Sequence, residues 1–117
     1  MTIACVFENT RIDGKFSLHM SNFGHIFLHE ADPLLAQDEP RLYPEIPQNA
    51  YVFAAGFVHY WSEVFILPVP TWVHKEKYKL DAPYFSQPLL RDEIKKRTPA
   101  QFALRNYFIP GMEVVYV

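Results

Sequence analysis

Residues 50–73 read AYVFAAGFVHYWSEVFILPVPTWV, and whether this stretch forms strands or a helix decides the fold. It holds Tyr51, Phe53, Phe57, Tyr60, Trp61, Phe65 and Trp72, with Val, Ile and Leu residues among them from Val52 to Val69. A continuous apolar run suits a buried strand or a buried helix. Gly56 in the middle, the β-branched and aromatic enrichment, and Pro68 and Pro70 near the end favour two central strands. These are expected at residues 51–61 and 64–69, turning near Ser62-Glu63. A buried helix through residues 50–58 is the competing reading.

Upstream, residues 2–7 and 15–20 are β-propensity runs separated by Asp13-Gly14, which reads as a hairpin turn. Phe16, Leu18 and Met20 alternate with Ser17 and His19, the period of a half-buried strand. A third strand over residues 25–30 would complete a β-meander. Residues 31–49 then carry Pro33, Pro40, Pro44 and Pro47, which leave little room for a ladder or a helix interior. This segment is expected to be a long proline-rich loop, ordered against the domain by Leu34, Leu35, Leu42, Tyr43 and Ile46.

Downstream, Ser86-Gln87-Pro88 followed by Leu89 to Arg97 reads as a helix with a serine cap and proline in its first turn. Asp92 and Lys96, and Glu93 and Arg97, are acid-before-base pairs at helical spacing. Thr98-Pro99-Ala100-Gln101 resembles a capping box for a second helix carrying Ala100, Ala103, Leu104, Tyr107 and Phe108 on one face. Residues 112–117 read as a closing strand. The expected fold is therefore a single α+β domain, a mainly antiparallel β-sheet with two short helices near the C-terminus.

The 117 residues are half apolar and carry a net charge of −2, a composition that excludes collagen, coiled coil and a wholly disordered chain. A domain of this size buries enough surface to fold without disulfides or a structural metal. The longest apolar run, residues 50–58, is too short to span a bilayer, and the N-terminus lacks the pattern of a signal peptide. No membrane partner is expected. Cys5 is the single cysteine, which suits a reducing, cytoplasmic setting and a small buried hydrophobe rather than a nucleophile.

Three places could hold chemistry. His19, His25 and His29 cluster in the expected meander, where three imidazoles on one face would suit zinc, although the sequence lacks a His-Glu-x-x-His pattern. His59 and Glu63 share a face and form a candidate base and orienter, with no nucleophile, oxyanion donor or glycine-rich loop beside them. Neither a cofactor nor catalysis is expected.

Charge divides the chain: residues 1–70 sum to −5 and residues 71–117 to +3. Arg91, Lys95, Lys96 and Arg97 are the core of a basic stretch that could follow a phosphate backbone, with Tyr78, Tyr84 or Phe85 available for stacking; acids interleave with them. Nineteen aromatic residues exceed what a core of this size needs. Leu42, Tyr43, Ile46, Tyr60, Trp61 and Trp72 are accordingly candidates for contact with a protein partner or a second copy of the chain. The leading expectation is a small non-catalytic protein that binds another macromolecule as an inhibitor, regulator or adaptor. The alternatives are a metal-binding protein or hydrolase using a histidine and carboxylate cluster, a nucleic-acid binder using the basic third, and a ligand pocket walled by the central aromatics.

Overall fold

Residues 50–64 of the decisive stretch lie in one helix, so the competing reading of a buried helix replaces the two strands. In the computed structural model, which describes residues 1–111, α3 runs unbroken over Gln48–Val64. Every residue from Ala50 to His59 is buried, and a helix that is apolar on all sides belongs at the centre of its domain. Such a helix has no polar face, so its periodicity vanishes and its Val and aromatic content imitates a buried strand. Its length is the property that distinguishes it, because 17 residues far exceed an ordinary strand.

The expected meander is likewise two helices, α1 (Ile3–Asp13) and α2 (Phe16–Glu30). Thr2 caps α1 by accepting a bond from the Cys5 N–H, and Gly14 ends it at φ 72° with its own N–H donated to the Thr10 carbonyl. Asp13-Gly14 is therefore a helix C-terminus, because the left-handed glycine that closes a hairpin also closes a helix. Ile3, Val6, Phe7 and Thr10 are buried on α1, and Met20, Phe23, Gly24 and Phe27 on α2, both at the three-and-four spacing of a helix. The alternation of Phe16, Leu18 and Met20 was coincidental, since Leu18 lies 51% exposed.

The mainly antiparallel sheet is thus replaced by a fold that, among the described residues, is 62% helical with five α-helices. They form a single domain. Short 3-10 turns at Pro33–Ala36, Thr71–His74, Glu76–Tyr78 and Pro88–Leu90 complete the helical content. Among the described residues the strand content is β1 (Tyr84–Phe85) and β2 (Tyr107–Phe108), paired in parallel. The helix expected from Leu89 onward is present as the turn Pro88–Leu90 and α4 (Arg91–Arg97), but Ser86 does not cap it. The second, α5, covers only Ala100–Ala103. Thr98 serves the end of α4 instead, donating to the Ile94 carbonyl and accepting the Ile109 N–H. The chain then leaves the helix so that Tyr107 and Phe108 pair with β1. The closing strand expected over residues 112–117 lies outside the described residues.

Two glycines set how closely other elements approach α3. A Cβ on Gly24 of α2 would lie 3.2 Å from the Phe57 ring, and one on Gly56 of α3 would lie 2.7 Å from the Phe102 ring. The α1–α2 hairpin therefore meets one side of α3, while α5 and β2 meet another. Within the proline-rich segment, Glu39 receives Lys75 Nζ, Lys77 Nζ and Tyr78 Oη at 2.7–2.8 Å, and Trp72 Nε1–H donates to the Ala36 carbonyl. These bonds fix the loop against the 3-10 turns.

Helix α3 ends in a Schellman arrangement: the Ile66 N–H donates to the Glu63 carbonyl and the Leu67 N–H to the Ser62 carbonyl. Ile66 occupies the left-handed position at φ 57°, where glycine is the usual residue, and its side chain is 91% exposed. A β-branched residue there is strained by roughly 1–2 kcal/mol. Ile66→Gly is expected to stabilise the fold by about 0.5–1 kcal/mol after the entropy of glycine is offset. Chemical denaturation checks this, and a loss of stability would show that the exposed side chain is held by contacts that its accessibility conceals.

Candidate functional site

A cleft of about 800 Å³ opens between the α1–α2 hairpin, the start of α3 and the strand pair. Phe16 and Met20 from α2, Ala50 and Phe53 from α3, and Tyr84 and Tyr107 from the strands supply its apolar walls. The walls follow from the fold: Met20 and Phe53 sit on the facing buried stripes of their helices, and parallel pairing sets Tyr84 beside Tyr107 with ring centroids 4.8 Å apart. Thr10, Ser17 and Asn49 add polar groups. At the mouth Arg11 approaches Glu45 at 3.7 Å and lies over the Tyr43 ring at 5.0 Å. Both charges are exposed, so this pair adds little to stability.

The six partner-contact candidates are divided by the fold. Ile46 lines the cleft, Tyr43 stands beside it under Arg11, and Leu42, adjacent in sequence, is exposed. The Tyr43 N–H donates to Tyr51 Oη, which in turn donates to the Arg41 carbonyl, so α3 positions this edge of the loop. Tyr60 and Trp61 are half-buried on α3, edge to face with each other, away from the residues that line the cleft. Trp72 is in the core against Tyr78 and offers no contact surface.

The histidines do not converge. His25 and His29 lie one turn apart on exposed α2 surface, whereas six residues of helix turn His19 about 120° away from His25. His19 meets Asp13 instead, at 2.8 Å and 3.0 Å from its two carboxylate oxygens. Among the described residues no group of three or more His, Cys, Asp and Glu side chains could hold a metal ion. Cys5 is half-buried on α1, with the Thr2 hydroxyl donating to its sulfur.

His59 and Glu63 do meet, one turn apart on α3, with Nε2 of the ring on the carboxylate. The other ring nitrogen, Nδ1, faces Arg105 Nη1 at 3.1 Å. Arg105 has only donors, so Nδ1 is the acceptor and Nε2–H donates to Glu63; this bonding assigns a neutral tautomer. Arg105 is 1% exposed and also donates to the Gln101 and Val73 carbonyls at 2.6 Å and 2.7 Å. Burial lowers its pKa to about 10, which leaves it protonated at neutral pH. Both nitrogens of His59 are thus occupied in holding the fold, and neither is available as a base. Arg105, one of the cations of the basic C-terminal third, is unavailable to a phosphate backbone for the same reason.

Burial, then the neighbouring Arg105 cation, hold the His59 imidazole below its ordinary value of 6.5. Hydrogen bonds from Lys75, Lys77 and Tyr78 outweigh desolvation at Glu39 and bring its carboxyl down to about 2. Both shifts make the unfolded chain bind protons more readily than the folded one, so acid destabilises. The His59 contribution is complete above 6.5 and is lost as pH falls from there through its lowered value. The Glu39 contribution is complete above 4.5 and is lost as pH falls through about 2. Thermal unfolding across pH 2–8 is expected to show both declines, with Glu39→Gln flattening the more acidic one; a midpoint that rises on acidification contradicts the assignment.

The basic candidates sit on the other face of the small sheet. Successive strand residues point to opposite faces, so Tyr84 and Tyr107 face the cleft while Phe85 and Phe108 face α4. Phe85 and Phe108 stack at 5.0 Å, and Arg91 and Lys95 lie over the pair at 5.3–5.9 Å. Arg97 is exposed and 3.9 Å from Glu93, and Lys96 is exposed on the same helix. No helix among the described residues is long and apolar enough to cross a membrane.

Sequence reasoning missed the cleft because Phe16, Met20 and Phe53 were expected on strands and Tyr107 on a helix, so their convergence with Tyr84 did not show. The spacing of Met20, Phe23 and Phe27, and of Ala50, Phe53 and Phe57, was the available sign of the two helix faces. The chain matches no protein-family model, no curated protein and no solved structure.

Proposed function

We propose that this chain is a non-catalytic binding protein, of inhibitor, regulator or adaptor type, whose cleft receives apolar side chains of a protein partner. The observation that carries this reading is the cleft itself, about 800 Å³ and walled by Phe16, Met20, Phe53, Tyr84 and Tyr107. Its volume and its mixture of aromatic walls with a few polar groups match those of binding pockets in general. The edge formed by exposed Leu42 and half-buried Tyr43 supports a macromolecular occupant, because it extends the contact surface beyond the mouth. Tyrosine offers large contact area at small entropic cost. A cytoplasmic setting is part of this reading, since Cys5 is unpaired.

Ser17 lines the cleft from an exposed position, so Ser17→Arg places a charge there without disturbing the core. Ile12→Arg is the control, on a side chain that is exposed and does not line the cleft. Quantitative affinity capture is expected to retrieve a protein that Ile12→Arg retains and Ser17→Arg loses by about tenfold or more. Capture profiles that are the same for all three chains would refute the reading.

A further inference from the structure

The corner formed by Pro88–Leu90 and α4 is independent of the cleft and lies across the strand pair from it. Leu89 is 99% exposed, the most exposed large apolar side chain among the described residues, and Leu90 beside it is 51% exposed. Arg91, Lys95, Lys96 and Arg97 follow within the next seven residues, against Asp92 and Glu93. Only Ile94 of α4 turns inward, which directs the charged side chains outward. Two cations are held in place: Arg91 and Lys95 rest on the stacked rings of Phe85 and Phe108.

We propose that this corner docks on an anionic lipid surface, with Leu89 and Leu90 entering the boundary between headgroups and acyl chains and the four cations lying at the level of the lipid phosphates. Contact of this kind requires no spanning helix; it needs projecting aliphatic groups next to clustered cations. Charge complementarity selects an anionic bilayer over a neutral one. A nucleic acid fits less well, because Phe85 and Phe108 stack on each other under Arg91 and Lys95 and offer no open platform for a base. Such a polyanion also leaves Leu89 and Leu90 without a partner.

The test uses the full chain and sedimentation with vesicles of phosphatidylcholine, with and without a minority of phosphatidylglycerol. Partitioning onto the anionic vesicles is expected to exceed that onto neutral ones by about tenfold and to weaken as salt is raised. The double variant Leu89→Asp and Leu90→Asp is expected to lose about tenfold or more of that partitioning, since charges replace the two side chains that enter the bilayer. Both leucines are exposed, and an unchanged thermal midpoint will show that the variant is folded. Lys95→Glu with Lys96→Glu is expected to remove the preference for anionic vesicles. Absence of binding to either vesicle overturns the proposal. So does binding that the leucine variant leaves intact, and so does tighter binding of a labelled single-stranded oligonucleotide that depends on the cations alone.

Discussion

Arg105→Ala is expected to destabilise the protein by about 3–5 kcal/mol, a large part of the stability of a domain this size. The guanidinium is buried, and among the described residues no carboxylate pairs with it directly. It is neutralised at one remove, through His59 to Glu63, and by two carbonyl oxygens. Truncation leaves the Val73 and Gln101 carbonyls and His59 Nδ1 without their donor, each at a cost of roughly 1–3 kcal/mol before relaxation, and vacates the volume of a long side chain. Arg105→Lys retains the charge but not the fork that reaches Val73 and Gln101 together, and is expected to fall between the two. Arg105→Met removes the buried charge and most of the void while leaving the acceptors unpaired, so its loss is expected to be smaller than that of alanine. Denaturant midpoints at neutral pH check the order. An alanine variant within about 1 kcal/mol of the parent would mean that water replaces the guanidinium and that Arg105 does not join α3 to the C-terminal elements.

Phe102→Ala is expected to cost about 3–5 kcal/mol, the range for deleting a fully buried aromatic side chain. The ring lies against Gly56 on the central helix, with Phe53 at 5.7 Å and Tyr107 at 6.0 Å around it, so few neighbours can collapse into the space. The same contact makes a sharper statement about Gly56. In the parent chain Gly56→Ala drives a methyl group to 2.7 Å from the ring, and overpacking of this kind costs roughly 1–3 kcal/mol, more than the ~1 kcal/mol that alanine gains in helix propensity. With Phe102→Ala in place the obstruction is gone, and Gly56→Ala is expected to become stabilising by about 0.5–1 kcal/mol. A double-mutant cycle by chemical denaturation measures this change of sign. Additive effects would show that α5 does not seat its ring on Gly56.

The reading of residues 50–64 failed for a reason that applies to any helix buried on every side. Periodicity reports the boundary between core and water, and α3 has no such boundary over residues 50–59. Gly56, taken as a sign of a strand, is the point where Phe102 approaches the helix backbone. Gly14 shows the complementary ambiguity: Asp13-Gly14 marked a reversal correctly, but one left-handed residue serves hairpins and helix ends alike. In the cleft, Ile46 and Tyr43 were singled out as apolar residues of a proline-rich loop. Phe16, Met20 and Phe53 were assigned to strands, and their convergence was therefore invisible.

By itself, the sequence determined the features that depend on near neighbours along the chain. These are the separation of an acidic first part from a basic remainder, the helical segment from Leu89 to Arg97 with its acid-before-base pairs, the reversal at Gly14, and the lack of an apolar run long enough to cross a membrane. Only the tertiary structure decided that α3 is a helix, that the histidines part while His59 and Arg105 join, and that a cleft opens between the hairpin and the strand pair. Each of those depends on groups far apart in sequence, where burial is decided by what packs against a residue rather than by what stands next to it.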